Sequence, residues 1–156
     1  AIDIANGVFE ANGISLPLEN AGTVDATDPS AREQAGAAIQ APLYGNEVKE
    51  VFSALPKPFD EFVPHLLTSS AFGDFATRGG LDVAQRELIS LVAIAAIGAT
   101  TQLRPHVAGA IRAGSSRQKV AAALVQVMPY IGGPYALSGL VLVARYDENA
   151  STEAYR

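Results

Sequence analysis

The chain has 156 residues, 49% of them apolar and 17% charged, which suits one ordinary domain able to bury a core. Its net charge is -5 and its 11 Lys and Arg are scattered, so it lacks the basic runs of a nucleic-acid binder. The absence of cysteine removes disulfides, thiolate metal sites and thiol nucleophiles together.

Residues 1–28 place Asn6-Gly7, Asn12-Gly13, Pro17, Asn20 and Gly22 among short apolar pieces. That is turn chemistry without helical period, and it predicts an extended or irregular arm. No basic region followed by an apolar stretch marks a leader, so the cytoplasm is the default compartment. Asp28-Pro29 combines an N-cap with proline at the first helical position and opens a helix to Gln40, closed by Pro42 and Gly45. A second helix is expected over Asn46 to Leu55, broken by Pro56-Lys57-Pro58. From Phe59 to Thr77, Phe59, Phe62, Val63, Leu66, Leu67 and Phe72 recur near helical spacing. Pro64 fits that helix only in its first turn.

Arg78-Gly79-Gly80 ends this segment, and Asp82 with Gln85 forms a capping-box signature for a helix over Val83 to Ile97, stopped by Gly98. Its run from Leu88 to Gly98 is far shorter than the roughly 20 residues a bilayer needs, so no membrane partner is expected. Beyond Leu88 this helix is apolar on every side except Ser90, which asks for cover all round, with help from a neighbouring subunit. Helices follow over about Gln102 to Ala113, Arg117 to Tyr130 behind a Ser115/Gln118 capping box, and Pro134 to about Tyr146. The small residues Ala108, Gly109 and Ala110 permit close approach on the first of these. The reading is all-α, with a single helical domain over 29–147 and a polar tail at 148–156.

Several pieces stand in a specific order: Arg86-Glu87-Leu88 opening an apolar helix, His106 followed by small residues, the Ala113-Gly114 stop, and the Ile131-Gly132-Gly133-Pro134 corner. Over residues 77–137 the chain resembles the carboxymuconolactone decarboxylase family. The resemblance implies a bundle of six to seven helices of the alkylhydroperoxidase D-like type, assembled as a homo-oligomer, trimer or hexamer. It also implies a cofactor-independent lyase or isomerase acting on a small carboxylated lactone or related enolisable acid. Redox relatives carry a Cys-x-x-Cys pair between the acid and the histidine, and those positions fall here on Ala99 and Gln102. Without a thiolate, peroxide chemistry is disfavoured. An acidic residue is expected at Gln102 in the authentic decarboxylases, so the substrate here is expected to differ. Two other readings stay open: a binding or structural module that has lost its chemistry, and removal of cysteines from a redox parent at Ala71 and Ala99.

His106 and Glu87 are the candidate catalytic pair. Pro105 predicts that His106 lies in or near the first turn of its helix, where the positive dipole end would disfavour imidazolium. A neutral ring can accept a proton or donate to a developing oxyanion. Glu87 lies one turn into an apolar helix, where an unpaired carboxylate is costly, although Asp82, Gln85 and Arg86 leave a water-facing alternative. In a strictly antiparallel hairpin the two would be offset by roughly 7 Å at about 1.5 Å per residue. Direct contact would then need a splayed crossing, a bridging water or a subunit boundary.

Arg104 is the candidate to grip a substrate carboxylate, ahead of Arg78 and Arg112. Phe75, Tyr130 and His65 are candidates to line the pocket, with core packing the alternative for the aromatics and a structural or surface role for His65. Two histidines so far apart make no metal signature, and no glycine-rich phosphate loop occurs, so no metal or cofactor is implied.

Overall fold

A computed structural model describes residues 2–18, 22–25 and 27–147. Among the described residues the chain is all-helical: α1 (Ile2–Ala11), α2 (Pro29–Tyr44), α3 (Glu47–Phe52), α4 (Phe59–Leu66), a π-helical segment (Leu67–Ala76), α5 (Val83–Ala96), α6 (Thr100–Arg112), α7 (Arg117–Ile131) and α8 (Gly133–Arg145). The polar tail at 148–156 lies outside the described residues.

The expected fold class holds, with eight α-helices where six to seven were expected. The addition is α1, which corrects the reading of the first 28 residues as wholly irregular. Asn6-Gly7 sits inside this helix, and only Asn12-Gly13 makes a turn, with Gly13 at φ 72°. Asp3 in the first turn favours the helix, and the Asn12 side chain donates to the Val8 carbonyl at 2.8 Å.

Two of the three caps read from sequence recur in three dimensions. Asp28 accepts from the Ser30 and Ala31 amides with Pro29 behind it. Asp82 and Gln85 exchange reciprocal bonds of 2.7 and 2.9 Å. For α7 the cap moves by one residue: Ser116, not Ser115, accepts from the Lys119 amide. Gly114 at φ 102° folds the chain back so that the Ser115 amide reaches the Ala110 carbonyl, and Ser115 is buried.

The prolines depart from expectation. Pro42 lies inside α2, which runs on to Tyr44, and Pro64 is the sixth residue of α4 rather than part of its first turn. Leu43 and Tyr44 are both 3% exposed, so their packing holds the end of α2 helical past the missing donor. Beyond Pro64 the chain widens into the π segment. There Thr68, Ser69 and Thr77 donate their hydroxyls to the carbonyls of Pro64, His65 and Gly73, four residues back, which supplies donors that the i→i+5 register skips.

The core is shared by α5 to α8 and comprises Leu91, Ala95, Leu103, Val107, Ala110, Val120, Leu124 and Val143. Leu91, Leu103 and Leu124 are fully buried, and each such side chain contributes roughly 1.5–3 kcal/mol. The π segment lies along α2 at very short range, with Gly36 facing Thr68 and Gly73 facing Arg32. α2 in turn packs on α6, which brings its C-terminal end against the middle of the α5/α6 pair. Ile89 and Ile97 stay 55% and 77% exposed, so one chain leaves part of α5 and its turn uncovered. No helix among the described residues is long and apolar enough to cross a membrane.

Candidate functional site

Three helices place one side chain each at a common point. Glu87, the fifth residue of α5, is 6% exposed and points into the protein, which decides between the two readings of its position. His106 is the seventh residue of α6, with its side chain 23% exposed. Tyr44, the last residue of α2, is 3% exposed and stands between them. The Tyr44 hydroxyl donates to Oε2 of Glu87 at 2.5 Å and lies 3.0 Å from Nδ1 of His106, which is itself 3.3 Å from the same Oε2. The tyrosine and imidazole rings meet edge to face with centroids 5.5 Å apart, and Phe72 of the π segment also meets Tyr44 edge to face, at 5.8 Å.

The direct contact removes the expected need for a bridging water or a subunit boundary. Helix α6 begins at Thr100, two residues earlier than expected, so Glu87 lies nine residues before the end of α5 and His106 six after the start of α6. The remaining offset is about 4.5 Å at about 1.5 Å per residue, within reach of the two side chains. The same early start puts Pro105 and His106 in the second turn rather than the first. The dipole acts within the first turn, so the expectation built on it does not carry over to this position. Gly109, one turn beyond His106, provides the room, because a β-carbon there would meet the Tyr44 hydroxyl at 2.5 Å and Oε2 of Glu87 at 2.8 Å. The small face of α6 therefore admits polar side chains as well as neighbouring backbone.

The end of α2 is held in place from α6. Arg112 donates through Nη1 to the Leu43 carbonyl at 2.6 Å and lies 3.6 Å from Glu47, so it acts as a clamp beside Tyr44. Further along α2, Arg32 donates to Asp74 of the π segment from Nε at 2.7 Å and again from Nη2. That bidentate bond holds the Asp74 carboxyl below its ordinary range and the Arg32 guanidinium above its own.

The other expected site residues are not joined to this cluster by any hydrogen bond, ion pair or ring contact among the described residues. Arg104 is exposed and lies two residues before His106, about 200° round a helix of 3.6 residues per turn. Phe75 is 59% exposed, and its neighbour Phe72 is the residue that packs on Tyr44. Tyr130 is 83% exposed near the end of α7. His65 turns its Nδ1 to Glu33 of α2 at 2.9 Å. Tyr44 is the member of the cluster that sequence reasoning missed, and its signal, an aromatic just before the Gly45 stop, is too common to single it out. Among the described residues no three His, Asp or Glu side chains gather as a metal centre would need.

The Glu87–His106 contact leaves one face of the imidazole committed. Nδ1 is engaged by Tyr44 and Glu87, while Nε2 has no protein partner among the described residues. A carboxylate on one ring nitrogen fixes the tautomer and frees the other nitrogen for proton transfer, as in acid/base enzymes generally. Fold and site together define, among the described residues, an all-helical protein in which a Tyr, a Glu and a His from three helices are hydrogen-bonded as one cluster. The model of the carboxymuconolactone decarboxylase family matches residues 63–145, more than half of the chain, and the chain belongs to that family. Over 110 residues it is 27% identical to the nitrosuccinic acid decarboxylase npaB of Metarhizium robertsii, across 70% of this chain and 77% of that one. Tyr44 lies outside the residues that the family model matches.

Proposed function

We propose that this protein is a decarboxylase or isomerase that works without a cofactor on a small acid whose carbanion has a built-in electron sink. The carboxylated lactones implied by the family carry a carbonyl for this purpose. Nitrosuccinic acid, the substrate in the relative's name, carries a nitro group in the same role. In either case the C–C bond to the carboxyl breaks, CO2 departs, and the electron pair is held as an enolate or nitronate. A proton then has to be delivered to carbon.

His106 delivers it from Nε2, with Glu87 behind Nδ1 holding the ring. The observation that carries this reading is that, among the described residues, Nδ1 alone is engaged, which leaves Nε2 for substrate. Arg104 is the proposed carboxylate anchor. Its place on the far side of α6 from His106 makes a contribution across a subunit boundary the geometry to test, and exposed Ile89 and Ile97 support a homo-oligomer.

The test is CO2 release from carboxylated lactones and from nitrosuccinate, with deuterium uptake into the product from D2O. His106→Gln should lower turnover by about 10²- to 10⁴-fold while the protein stays folded. Unchanged turnover in that variant would dispose of the mechanism. A raised KM in Arg104→Ala with kcat unaltered would assign the anchor, and light scattering would give the number of subunits.

A further inference from the structure

The three distances of the cluster are unequal, and their order is informative. Tyr44 Oη is 2.5 Å from Glu87 and 3.0 Å from His106, closer to each than they are to one another at 3.3 Å. A proton passing between the carboxylate and the ring has its shortest route through the phenol. From this geometry we infer that Tyr44 is a positioning residue that relays protons between Glu87 and Nδ1 of His106, so that Nε2 alternates between proton acceptor and proton donor. This rests on the proposed acid/base role of His106.

With Tyr44 giving its hydrogen to the Glu87 carboxylate, Nδ1 presents an N–H to the phenol oxygen, and the relay starts from the tautomer in which Nε2 carries the lone pair. Nε2 takes a proton from solvent. The Nδ1 hydrogen then moves to Tyr44 as the Tyr44 hydrogen moves to Glu87, which leaves a neutral ring bearing hydrogen only on Nε2. When the carbanion forms, Nε2 gives its proton to carbon, Tyr44 returns a hydrogen to Nδ1, and Glu87 returns one to Tyr44. Each cycle moves one solvent proton to carbon, and the negative charge passes from the substrate to Glu87 with no net change on the ring.

Three features support a held relay over a chance contact. Tyr44 is buried, its ring makes edge contacts with both His106 and Phe72, and its hydroxyl occupies the space that a β-carbon at Gly109 would take. Tyr44 comes from α2, outside the residues that the family model matches, so the N-terminal part of the chain supplies the relay's middle member.

The experiment is Tyr44→Phe in the full chain, which keeps the ring and its contacts and removes the hydroxyl. We expect kcat to fall by about 10²-fold, the low end of what a positioned proton carrier contributes, with KM little changed. The dependence of kcat on the D2O fraction should be bowed in the parent, reporting several protons in flight, and straight in the variant. Glu87→Gln should cost as much, and the double variant no more, because the residues act as one unit. The nitrogen chemical shifts of the His106 ring give an answer independent of turnover: Tyr44→Phe and Glu87→Gln should each move its tautomer balance. If the parent turns over none of the acids while those shifts move, the substrate reading fails and the relay stands. If Tyr44→Phe leaves both the shifts and kcat unchanged, the relay is overturned.

Discussion

Gly109 and Tyr44 occupy complementary space: the missing β-carbon of one is where the hydroxyl of the other sits, 2.5 Å from the ideal β-carbon position. Helix propensity alone would favour alanine at Gly109 by about 1 kcal/mol. Overpacking opposes it by about 1–3 kcal/mol. Gly109→Ala should therefore lower stability by about 1 kcal/mol in a urea melt and impair turnover more than that loss explains, because the phenol and carboxylate must part. Gly7→Ala in α1, where a β-carbon meets nothing within 4 Å, is the control that should gain helix without a penalty.

Gly36 makes the closest approach in the molecule's N-terminal half. A β-carbon there would run into backbone of the π segment, at 2.8 Å from the Gly73 amide nitrogen and 2.9 Å from the Thr68 carbonyl carbon. Backbone cannot swing aside as a side chain can, so Gly36→Ala should destabilise by about 2–3 kcal/mol. Hydrogen exchange should show the loss concentrated in α2 and the π segment, with the α5 to α8 core less affected.

The Arg32–Asp74 bond gives the α2 contact a pH dependence of known sign. The hydrogen bonds from Arg32 depress the Asp74 carboxyl below its ordinary 3.8 in the folded chain. A depressed acid contributes stability that is present above the unfolded value and is lost as pH falls through the folded one. Thermal melts of the parent and Asp74→Asn should differ at pH 6, with the parent the more stable, and converge as the pH drops below 3.8. A gap that persists or widens in acid would refute this account.

Arg112 should matter to the site although it touches none of the reacting atoms. Its bond to the Leu43 carbonyl is half-buried and charge-assisted, of a kind that contributes about 1.5–3 kcal/mol. Arg112→Met, which keeps the stem and removes the guanidinium, should destabilise the chain by about 1–2 kcal/mol, because the carbonyl can turn partly to water. It should also shift the His106 ring resonances in the same direction as Tyr44→Phe, since Tyr44 is the next residue along.

The helices were legible wherever a local signal set their ends. Asp28-Pro29 and the Asp82/Gln85 box are statements about backbone groups within three residues, and they hold in three dimensions. The prolines misled for a related reason. Pro42, Pro64 and Pro105 all lie inside helices, and α2 continues past Pro42 because Leu43 and Tyr44 are packed. Such packing has no local signature.

By itself the sequence determined the helical class, most of the element boundaries and the family, and it singled out Glu87 and His106, which the fold brings together. Those follow from periodicity, caps and a motif, all of which act over a few turns of chain. Only the tertiary structure decided that Glu87 is buried, that His106 meets it directly, and that Tyr44, 43 residues from the first and 62 from the second, stands between them. The third partner depends on how α2 lies across α6, where Gly109 leaves room for the Tyr44 hydroxyl and the Arg112 clamp holds the Leu43 carbonyl. No window of sequence short enough to carry a local signal contains it.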